Sequence, residues 1–274
     1  MHNAPLRTFT LFIRPDERSK QIAEKIRQLN SKSSQPLVES ADGDFVIAIG
    51  GDGTFIDAVT KTNFSKKKLY TGVHTGTLGF LQDLDEKDIF SLFQYLNFSQ
   101  ILNTRKVYIP VAKVFLKNSV TKQFNALNEV LISGKDNSKI IRFSEYIHGR
   151  LLHNVAANGI IISSSTGDTA YSRSAGGAID LSNNFQLVCT LLTPLMTAVN
   201  ERFIPNSIIC RDATIVLKPS DNISIIIDGI LQDIDSSLIE KVEVSVAEDN
   251  YITKLDILSY DKVDVIRNKL LGYN

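Results

Sequence analysis

Residues 45–54 read FVIAIGGDGT, an apolar run followed by three glycines within four positions. Apolar runs of this kind are typical of strands that are covered on both faces. Glycines let the backbone approach a ligand closely, and a helix that begins directly afterwards adds amide donors and a favourable dipole. The sequence therefore predicts a strand–loop–helix unit that binds phosphate through Gly50, Gly51, Gly53 and Thr54.

Asp52 is the exception in this loop, because a carboxylate repels phosphate. Its presence predicts a role beside the phosphate, either as proton acceptor for an attacking hydroxyl or as a partner of Mg²⁺. The alternative is a turn in which Asp52 only caps the following helix. The loop matches neither GxGxxG nor GxxxxGK[ST], so the usual dinucleotide-binding oxidoreductase and the P-loop NTPase lose their main support.

Strand and helix signals alternate around this loop, through the first hundred residues. Strands are predicted at Thr8–Ile13 and Leu69–Val73, and Asp16 is positioned to cap a helix between them. Another amphipathic helix is predicted at 85–97, and the helix after the glycine loop is expected to begin at Thr54. Strands that alternate with helices indicate parallel βαβ units and an open α/β sheet.

The pattern changes in the second part of the chain, where apolar residues recur with a period of two. His148–Gly149 separates two such segments and is typical of a hairpin turn. His153 lies close to that turn, so we expect it on the surface. We predict an α/β domain with a parallel sheet at 1–103, followed by a β-rich, sandwich-like domain at 104–249. The last segment, 250–274, could return to the first domain.

Composition excludes several classes of protein. The 274 residues include 30 Lys+Arg and 30 Asp+Glu, a balance that argues against a broadly basic nucleic-acid-binding surface. Residues 1–7 lack the apolar stretch of a secretory signal, and the apolar segment 187–199 is too short for a membrane span and contains Pro194. Cys189 and Cys210 have no metal-ligand spacing. We therefore expect a cytoplasmic protein without nucleic-acid or membrane partners and without a metal held by its own side chains.

Three further segments carry polar chemistry. GVHTGTLGF at 72–80 follows a strand and should lie at the same sheet edge as the first loop, where open α/β sheets bind ligands. TGDTAYSRS at 166–174 follows an apolar strand, and its hydroxyls suit a nucleotide, although a capping turn would explain part of it. Asn128 and Glu129 interrupt an apolar segment predicted as one strand, so at least one of them should enter a site or an interface.

The order and approximate spacing of these motifs resemble those of NAD kinases. The matching elements are GGDGT at 50–54, GxxTGxLGF at 72–80, NE at 128–129, TGDTAY at 166–171 and DG at 228–229. GGDGT alone is shared with phosphofructokinases and with diacylglycerol and sphingosine kinases. The TGxTAY segment with its upstream NE makes the NAD kinase family the specific match, over about residues 45 to 229.

The resemblance implies the NAD kinase fold and Mg²⁺-dependent transfer of the γ-phosphoryl group of ATP, or of polyphosphate, to the 2′-hydroxyl of the adenosine ribose of NAD. It implies that Asp52 accepts the proton of that hydroxyl, that Gly53 lies beside it at the ribose, and that Phe80 contacts adenine. The Mg²⁺ ion would be bound through the phosphates of ATP.

For the β-rich domain, the resemblance implies that Asn128 and Glu129 bind the ribose and that Asn158 bonds the nicotinamide amide. The segment around the adenine and nicotinamide ends of NAD would comprise Thr166, Thr169, Ala170, Tyr171, Ser172, Arg173 and Ser174. Members of the family are dimers or tetramers, in which the β-rich domain of one subunit contributes to the NAD site of its neighbour. A homodimer or homotetramer is therefore expected here.

The sequence departs from the family pattern where Ser164-Ser165 replaces the usual Thr-Pro, and at three further positions. Ala156 stands where an Arg is frequent, Asn158 replaces the usual Asp, and Asp168 replaces a small hydroxyl residue. These departures suggest an alternative, a weakly active NAD-binding regulatory protein, against which the intact Asp52 argues. A lipid kinase of the diacylglycerol or sphingosine type is a second alternative, but such kinases lack TGDTAY and need membrane contact.

Overall fold

The structure is a computed structural model that describes residues 8–76, 79–98, 102–135, 139–182, 186–196, 202–209 and 213–272. Three parts of the chain discussed above lie outside the described residues: residues 1–7, Thr77 and Leu78 of the second motif, and Cys210. Among the helices of the described ranges, none is long and apolar enough to span a membrane.

Strands and helices follow in an order that begins with β1 (Thr8–Ile13), α1 (Glu17–Ser31), β2 (Val38–Glu39), β3 (Phe45–Gly50), α2 (Asp52–Lys61), β4 (Leu69–His74), α3 (Ile89–Phe98), β5 (Thr104–Leu116), β6 (Thr121–Asn125) and β7 (Glu129–Gly134). The order continues with β8 (Ile141–Ile147), β9 (Arg150–Ala157), β10 (Gly159–Ser163), α4 (Tyr171–Ser174), β11 (Leu187–Leu192), β12 (Asn206–Ile209), β13 (Thr214–Pro219), β14 (Ile223–Ile227), β15 (Ile230–Leu231), β16 (Ile239–Leu255) and α5 (Lys262–Lys269).

The chain divides into two compact units, 1–107 with 251–274, and 108–250. The predicted boundaries were 103/104 and 249/250. In the first unit, parallel strands lie in the order β2-β1-β3-β4, with the end of β16 parallel to β4. Every residue of β3 is buried, as its apolar sequence predicts. The carboxylate of Asp16 caps α1 by accepting from the Ser19 amide at 3.0 Å.

The second unit is built from antiparallel strands around one apolar core. One sheet has the order β12-β11-β10-β7-β14-β15, and the other contains β9-β8-β13 and the first part of β16, with β5 and β6. Buried side chains from both sheets form a single hydrophobic cluster. The predicted class, an α/β region with a parallel sheet and a β-rich, sandwich-like region, is confirmed.

The segment around Asn128 differs from the single strand that its sequence predicts. β6 ends at Asn125 and β7 begins at Glu129, so Asn128 lies just before a strand. The physical reason is the carboxylate of Asp228, which accepts from the amides of Leu127, Asn128 and Glu129. Because these amides donate to a side chain, they are not available for the backbone hydrogen bonds of a strand.

His153 is buried, and the expectation of a surface position is wrong. The hairpin turn at His148–Gly149 is as predicted, with φ of 52° and 72°. A β-bulge between Glu145 and Tyr146 then shifts the register of the two strands, so that Glu145 lies opposite His153. The shift leaves Leu152 39% exposed and buries the histidine, whose Nε2 lies 2.7 Å from the carboxylate of Glu145.

Candidate active site

The glycine loop joins the end of β3 to the start of α2. Gly50 has to be a glycine, because a Cβ there would lie 2.3 Å from Oγ1 of Thr54. Gly51 is the N-cap of α2 and provides no side-chain cap. Gly53 is exposed, with open space where a Cβ would be. The helix N-terminus is therefore accessible to an anion, which its dipole and amides favour.

Asp52 binds the second motif and does not cap its own helix. It is the first residue of α2, two positions before the expected start. Its Oδ2 accepts from the amide of Phe80 and its Oδ1 from the amide of Leu81, both at 2.9 Å. A carboxylate offers about four lone-pair positions, so each oxygen keeps acceptor capacity for a further donor. Asp52 is thus fixed in place, and its oxygens can still accept a hydrogen bond from a hydroxyl group.

The first two motifs are bonded to each other, as their common sheet edge predicts. The amide of Thr75 donates to the carbonyl of Gly50 at 3.2 Å. The side-chain amide of Gln82, which is 1% exposed, donates to the carbonyl of Gly51 at 2.7 Å. These bonds hold residues 79–83, which we call the Asp52-binding loop, against the glycine loop.

Two lysines from the end of the chain bind the carbonyls of the Asp52-binding loop. Nζ of Lys254 donates to the Leu81 carbonyl at 2.5 Å and pairs with Asp83 at 2.7 Å. Burial lowers the pKa of Lys254 to about 8, against the opposing charge of Asp83. Nζ of Lys269 donates to the carbonyls of Gly79 and Gln82. Sequence reasoning missed both lysines, because nothing in their local sequence distinguishes them from surface lysines.

Arg14 is a further cation that sequence reasoning missed. It follows β1 directly, and its amide donates to the carbonyl of Ile49, the neighbour of Gly50 in β3. A Cβ on Gly51 would lie 4.0 Å from Nη1 of Arg14, whose Nε pairs with Asp16 at 2.6 Å. Its position in the sequence could have identified it, because Arg14 follows the strand beside β3, and residues at the carboxyl end of that strand reach the glycine loop.

A cavity of about 750 Å³ lies in the first unit beside the Asp52-binding loop. Phe80, His74 and Lys269 are among its lining residues. His74 is held by the carbonyl of Gly76 at 2.9 Å and by the carboxylate of Asp85. Phe80, the predicted adenine contact, is half-buried at this cavity.

The second unit gathers the remaining motifs around Asp228. Asp228 and Gly229 form the turn between β14 and β15, with φ of 48° and 81°. The carboxylate of Asp228 accepts from the amides of Leu127 and Asn128 at 2.7 Å and of Glu129 at 3.1 Å. Burial raises the pKa of Asp228, and the three amide donors act in the opposite direction.

Asn128 and Glu129 each have a buried side-chain oxygen without a hydrogen bond among the described residues. Each side chain is 8% exposed, and Oδ1 of Asn128 and Oε2 of Glu129 accept no hydrogen bond within the described part of the chain. Burial, and then the charge of Asp228, raise the pKa of Glu129 to about 7. Buried polar atoms are normally bonded, so these two oxygens are candidates for hydrogen bonds to a ligand.

The TGDTAY segment packs directly on this cluster. The hydroxyls of Ser164 and Thr166 donate to the carbonyl of Leu127 at 2.6 and 2.9 Å. Gly167 has to be a glycine, because a Cβ there would lie 2.0 Å from the carbonyl oxygen of Asn128. Asp168 is fully buried and accepts from the amide of Asp180 at 2.7 Å, so its charge faces the interior.

The residues that follow Asp168 separate into interior and exposed side chains. Thr169 is 8% exposed, and Ser172 is buried with its hydroxyl 3.0 Å from that of Thr190. Tyr171 is 46% exposed, and Arg173 and Ser174 are exposed. Ala170 lies between these groups as the half-buried residue before α4.

Asn158 is the predicted site residue that the second unit does not bring to this cluster. It precedes β10, whereas Thr166 follows that strand. Since β7 runs antiparallel to β10, Glu129 lies opposite Ser163 at the far end. At about 3.3 Å per residue, Asn158 is roughly 16 Å from that end.

Comparison with known families identifies two matching domains. The profile of the ATP-NAD kinase N-terminal domain matches residues 13–101. The profile of the ATP-NAD kinase C-terminal domain matches residues 127–253.

Curated relatives agree with these profiles. The chain is 31% identical over 236 residues to an NAD kinase of Lactobacillus delbrueckii subsp. bulgaricus, which covers 85% of this chain and 87% of that protein. It is 30% identical over 243 residues to an NAD kinase of Flavobacterium johnsoniae, covering 86% and 79%. It is also 34% identical over 150 residues to a bifunctional NADP phosphatase/NAD kinase of Methanocaldococcus jannaschii, a match that spans 55% of this chain and 25% of that longer protein.

Solved structures share the fold. A yeast NADH kinase complexed with NADH superposes with a TM-score of 0.82 at 21% identity, covering 99% of this chain and 89% of that one. An NAD kinase from Archaeoglobus fulgidus in complex with ATP superposes with a TM-score of 0.71 at 16% identity, covering 98% of each chain.

Proposed function

Because the chain belongs to the ATP-NAD kinase family, we propose that it is an NAD kinase. It transfers the γ-phosphoryl group of ATP, or of polyphosphate, to the 2′-hydroxyl of the adenosine ribose of NAD, and the product is NADP. The observation that carries this proposal is the carboxylate of Asp52, fixed by the amides of Phe80 and Leu81 at the start of α2.

Asp52 is the proton acceptor of the proposed reaction. A ribose hydroxyl is a poor nucleophile at neutral pH, so a positioned acceptor has to take its proton as the bond to phosphorus forms. The two amide bonds of Asp52 hold its oxygens in one orientation and leave acceptor capacity on each. General-base catalysis of this kind contributes about 10²- to 10⁴-fold to the rate.

The glycine loop and Arg14 are proposed to bind the phosphates of the donor. The accessible α2 N-terminus at Gly53, next to Thr54, provides amide donors and a favourable dipole. The guanidinium of Arg14, whose Nε is paired with Asp16, lies beside Gly51 and has further N–H groups that can donate to a phosphate.

Magnesium is proposed to arrive on the phosphates of ATP. No group of three or more His, Cys, Asp or Glu side chains within the described ranges is placed to hold a metal ion. Such an ion would take its ligands mainly from substrate phosphates and water, and Asp52 is the carboxylate that the glycine loop could offer it. When bound, Mg²⁺ neutralises charge on the transferring phosphoryl group.

Asn128 and Glu129 are proposed to bind the ribose of NAD. Oδ1 of Asn128 and Oε2 of Glu129 are buried acceptors, and ribose hydroxyls are donors that would satisfy them. Phe80 and the exposed ring of Tyr171 offer faces for the bases of the dinucleotide. Thr166, Thr169 to Ser174 and the backbone around them are proposed to contact the rest of NAD.

We further propose that the protein acts as a homodimer or homotetramer in the cytoplasm. Asn158, the proposed nicotinamide contact, lies roughly 16 Å along β10 from Glu129. In an oligomer, it could contact the NAD that is bound by a second copy of the chain. Apolar side chains are exposed close by, because Leu195 is 40% and Met196 is 73% exposed and the amide of Leu195 bonds the Ala156 carbonyl. Size-exclusion chromatography with light scattering tests this, and Met196→Glu should shift the protein towards monomer.

One of the three departures behind the regulatory alternative loses weight, because Asp168 is buried and bonded to the amide of Asp180, and so is not exposed to a ligand at the surface. Purified protein with Mg²⁺, NAD and either ATP or polyphosphate decides the matter, with NADP detected by an NADP-specific dehydrogenase. NADP formation with at least one donor is expected. Protein that binds NAD and forms no NADP with either donor would support the regulatory alternative.

A further inference from the structure

The peptide group between Gly79 and Phe80 is hydrogen-bonded on both sides. Its N–H, on Phe80, donates to Oδ2 of Asp52 at 2.9 Å. Its carbonyl, on Gly79, accepts from Nζ of Lys269. A bond to the carbonyl of a peptide polarises that peptide and strengthens the bond that its N–H makes. Lys269 therefore contacts Asp52 through a single peptide unit.

The same ammonium group binds the Asp52-binding loop at a second point. Nζ of Lys269 donates to the carbonyl of Gln82 at 2.7 Å, three residues beyond Gly79. Between these two carbonyls lie the Phe80 and Leu81 amides that bind Asp52. One side chain thus holds both ends of the segment that positions the carboxylate.

The remainder of α5 does not depend on this contact. Asp261 caps the helix by accepting from the amide of Val263 at 2.7 Å, and Ile266 is 9% exposed. Lys269 is the last residue of the helix, so removal of its ammonium group leaves the cap and the buried face intact. Lys269 also lies outside the segments that match the family profiles, 13–101 and 127–253.

We propose that Lys269 is a positioning residue for Asp52, acting through the Gly79–Phe80 peptide. This inference rests on the proposed function, since it assigns Lys269 to the step in which Asp52 accepts the ribose proton. In this proposal the lysine acts through the peptide and not through contact with substrate. It restricts the orientation of the carboxylate, and small displacements of a reacting group reduce rates strongly.

The test compares Lys269→Met with a matched control, Arg267→Met, which removes an exposed cation from the same helix. Lys269→Met should lower kcat about tenfold, with the KM for NAD within about twofold of the wild-type value. Lys269→Arg, which can still donate to both carbonyls, should restore most of kcat. In an Asp52→Asn background, Lys269→Met should cause no further loss, because the two residues act in series.

Amide hydrogen exchange gives a second measurement that does not need turnover. Exchange at Phe80 should be faster in Lys269→Met than in wild-type protein or in Arg267→Met. If wild-type protein makes no NADP, the proposed function fails and exchange at Phe80 alone decides the inference. The inference is overturned if Lys269→Met matches Arg267→Met in exchange or in kcat, or if its loss of kcat persists unchanged in the Asp52→Asn background.

Discussion

The carboxyl groups of Asp52 and Glu129 occupy contrasting environments in the two units. Both oxygens of Asp52 accept hydrogen bonds from backbone amides, and Lys269 and Lys254 bind the carbonyls of Gly79 and Leu81 in the same loop. Glu129 has a buried oxygen without a partner among the described residues, and it lies beside a second carboxylate, Asp228. The first group is held ready before any ligand arrives, whereas the second needs a ligand to be satisfied.

This contrast predicts that the two sites fail in different ways. A group that is already fixed contributes mainly to the rate of the chemical step, so its loss should lower kcat. A buried acceptor that a ligand has to satisfy contributes to binding, so its loss should raise KM. Substitutions at each site therefore test whether Asp52 acts on the rate and Glu129 and Asn128 on binding.

The largest effect is expected for Asp52→Asn. It should lower kcat by about 10²- to 10⁴-fold, because an amide cannot accept the ribose proton, and leave the Kd of NAD within a few fold. Steady-state kinetics and calorimetric titration with NAD measure the two quantities. Asp57→Asn, on the exposed face of the same helix, is the matched control and should keep full activity. An equal loss in both variants would contradict the role of Asp52.

The second-largest effect is expected in the pH dependence of stability. Burial and Asp228 raise the pKa of Glu129 from 4.5 to about 7. Between these two pH values the folded protein therefore keeps a proton on Glu129 that the unfolded chain has lost. Stability contributed by this group is present below pH 4.5 and is lost as the pH rises through about 7.

Glu129→Gln should therefore reduce the fall in unfolding free energy between about pH 5 and about pH 8, by at most ~3 kcal/mol. Urea denaturation at both pH values, without ligand, measures this. A pH dependence as steep as that of wild-type protein would show that Glu129 is not the group responsible.

A smaller effect is expected for Asn128→Ala. Loss of its buried Oδ1 should raise the KM for NAD about tenfold, since one hydrogen bond to a ligand is worth roughly 1–2 kcal/mol, while kcat changes less. Asn154→Ala, at an exposed position of β9, is the control. If kcat falls and KM stays constant, the division between a rate-determining and a binding site is wrong.

The smallest effect is expected for Arg14→Met. It should raise the KM for ATP several-fold, and the difference from wild-type protein should shrink as salt is added, because exposed charges are screened. Arg18→Met, an exposed position of α1, provides the comparison. An unchanged KM for ATP at low salt would remove Arg14 from the donor site.

The sequence was sufficient for the fold class and for the proximity of the first two motifs. Gly50 and Thr75 follow adjacent parallel strands, and parallel strands end at a common edge, so their contact follows from order alone. The amide partners of Asp52 did not follow, because they depend on the path of the loop at Phe80 and Leu81. The same holds for Lys269, which meets that loop only after the chain has passed through the second unit.

Register was the other feature that the sequence did not reveal. A regular hairpin around His148–Gly149 would place Leu152 opposite Glu145. Because of the bulge, His153 lies opposite Glu145 instead. One inserted residue reverses which side chains face inward, and no local pattern marks the insertion.

Transfer of labelled phosphate distinguishes phosphorylation of NAD from hydrolysis of ATP. Wild-type protein is incubated with NAD, Mg²⁺ and ATP labelled in the γ-phosphoryl group, and the product is analysed by ³¹P NMR and by label content. We predict that the label appears in a phosphate ester on the 2′-oxygen of the adenosine ribose, and that Asp52→Asn abolishes nearly all of it. Label that is recovered only as inorganic phosphate would show that the protein hydrolyses ATP without transfer to NAD, and equal transfer by Asp52→Asn would show that Asp52 is not the proton acceptor.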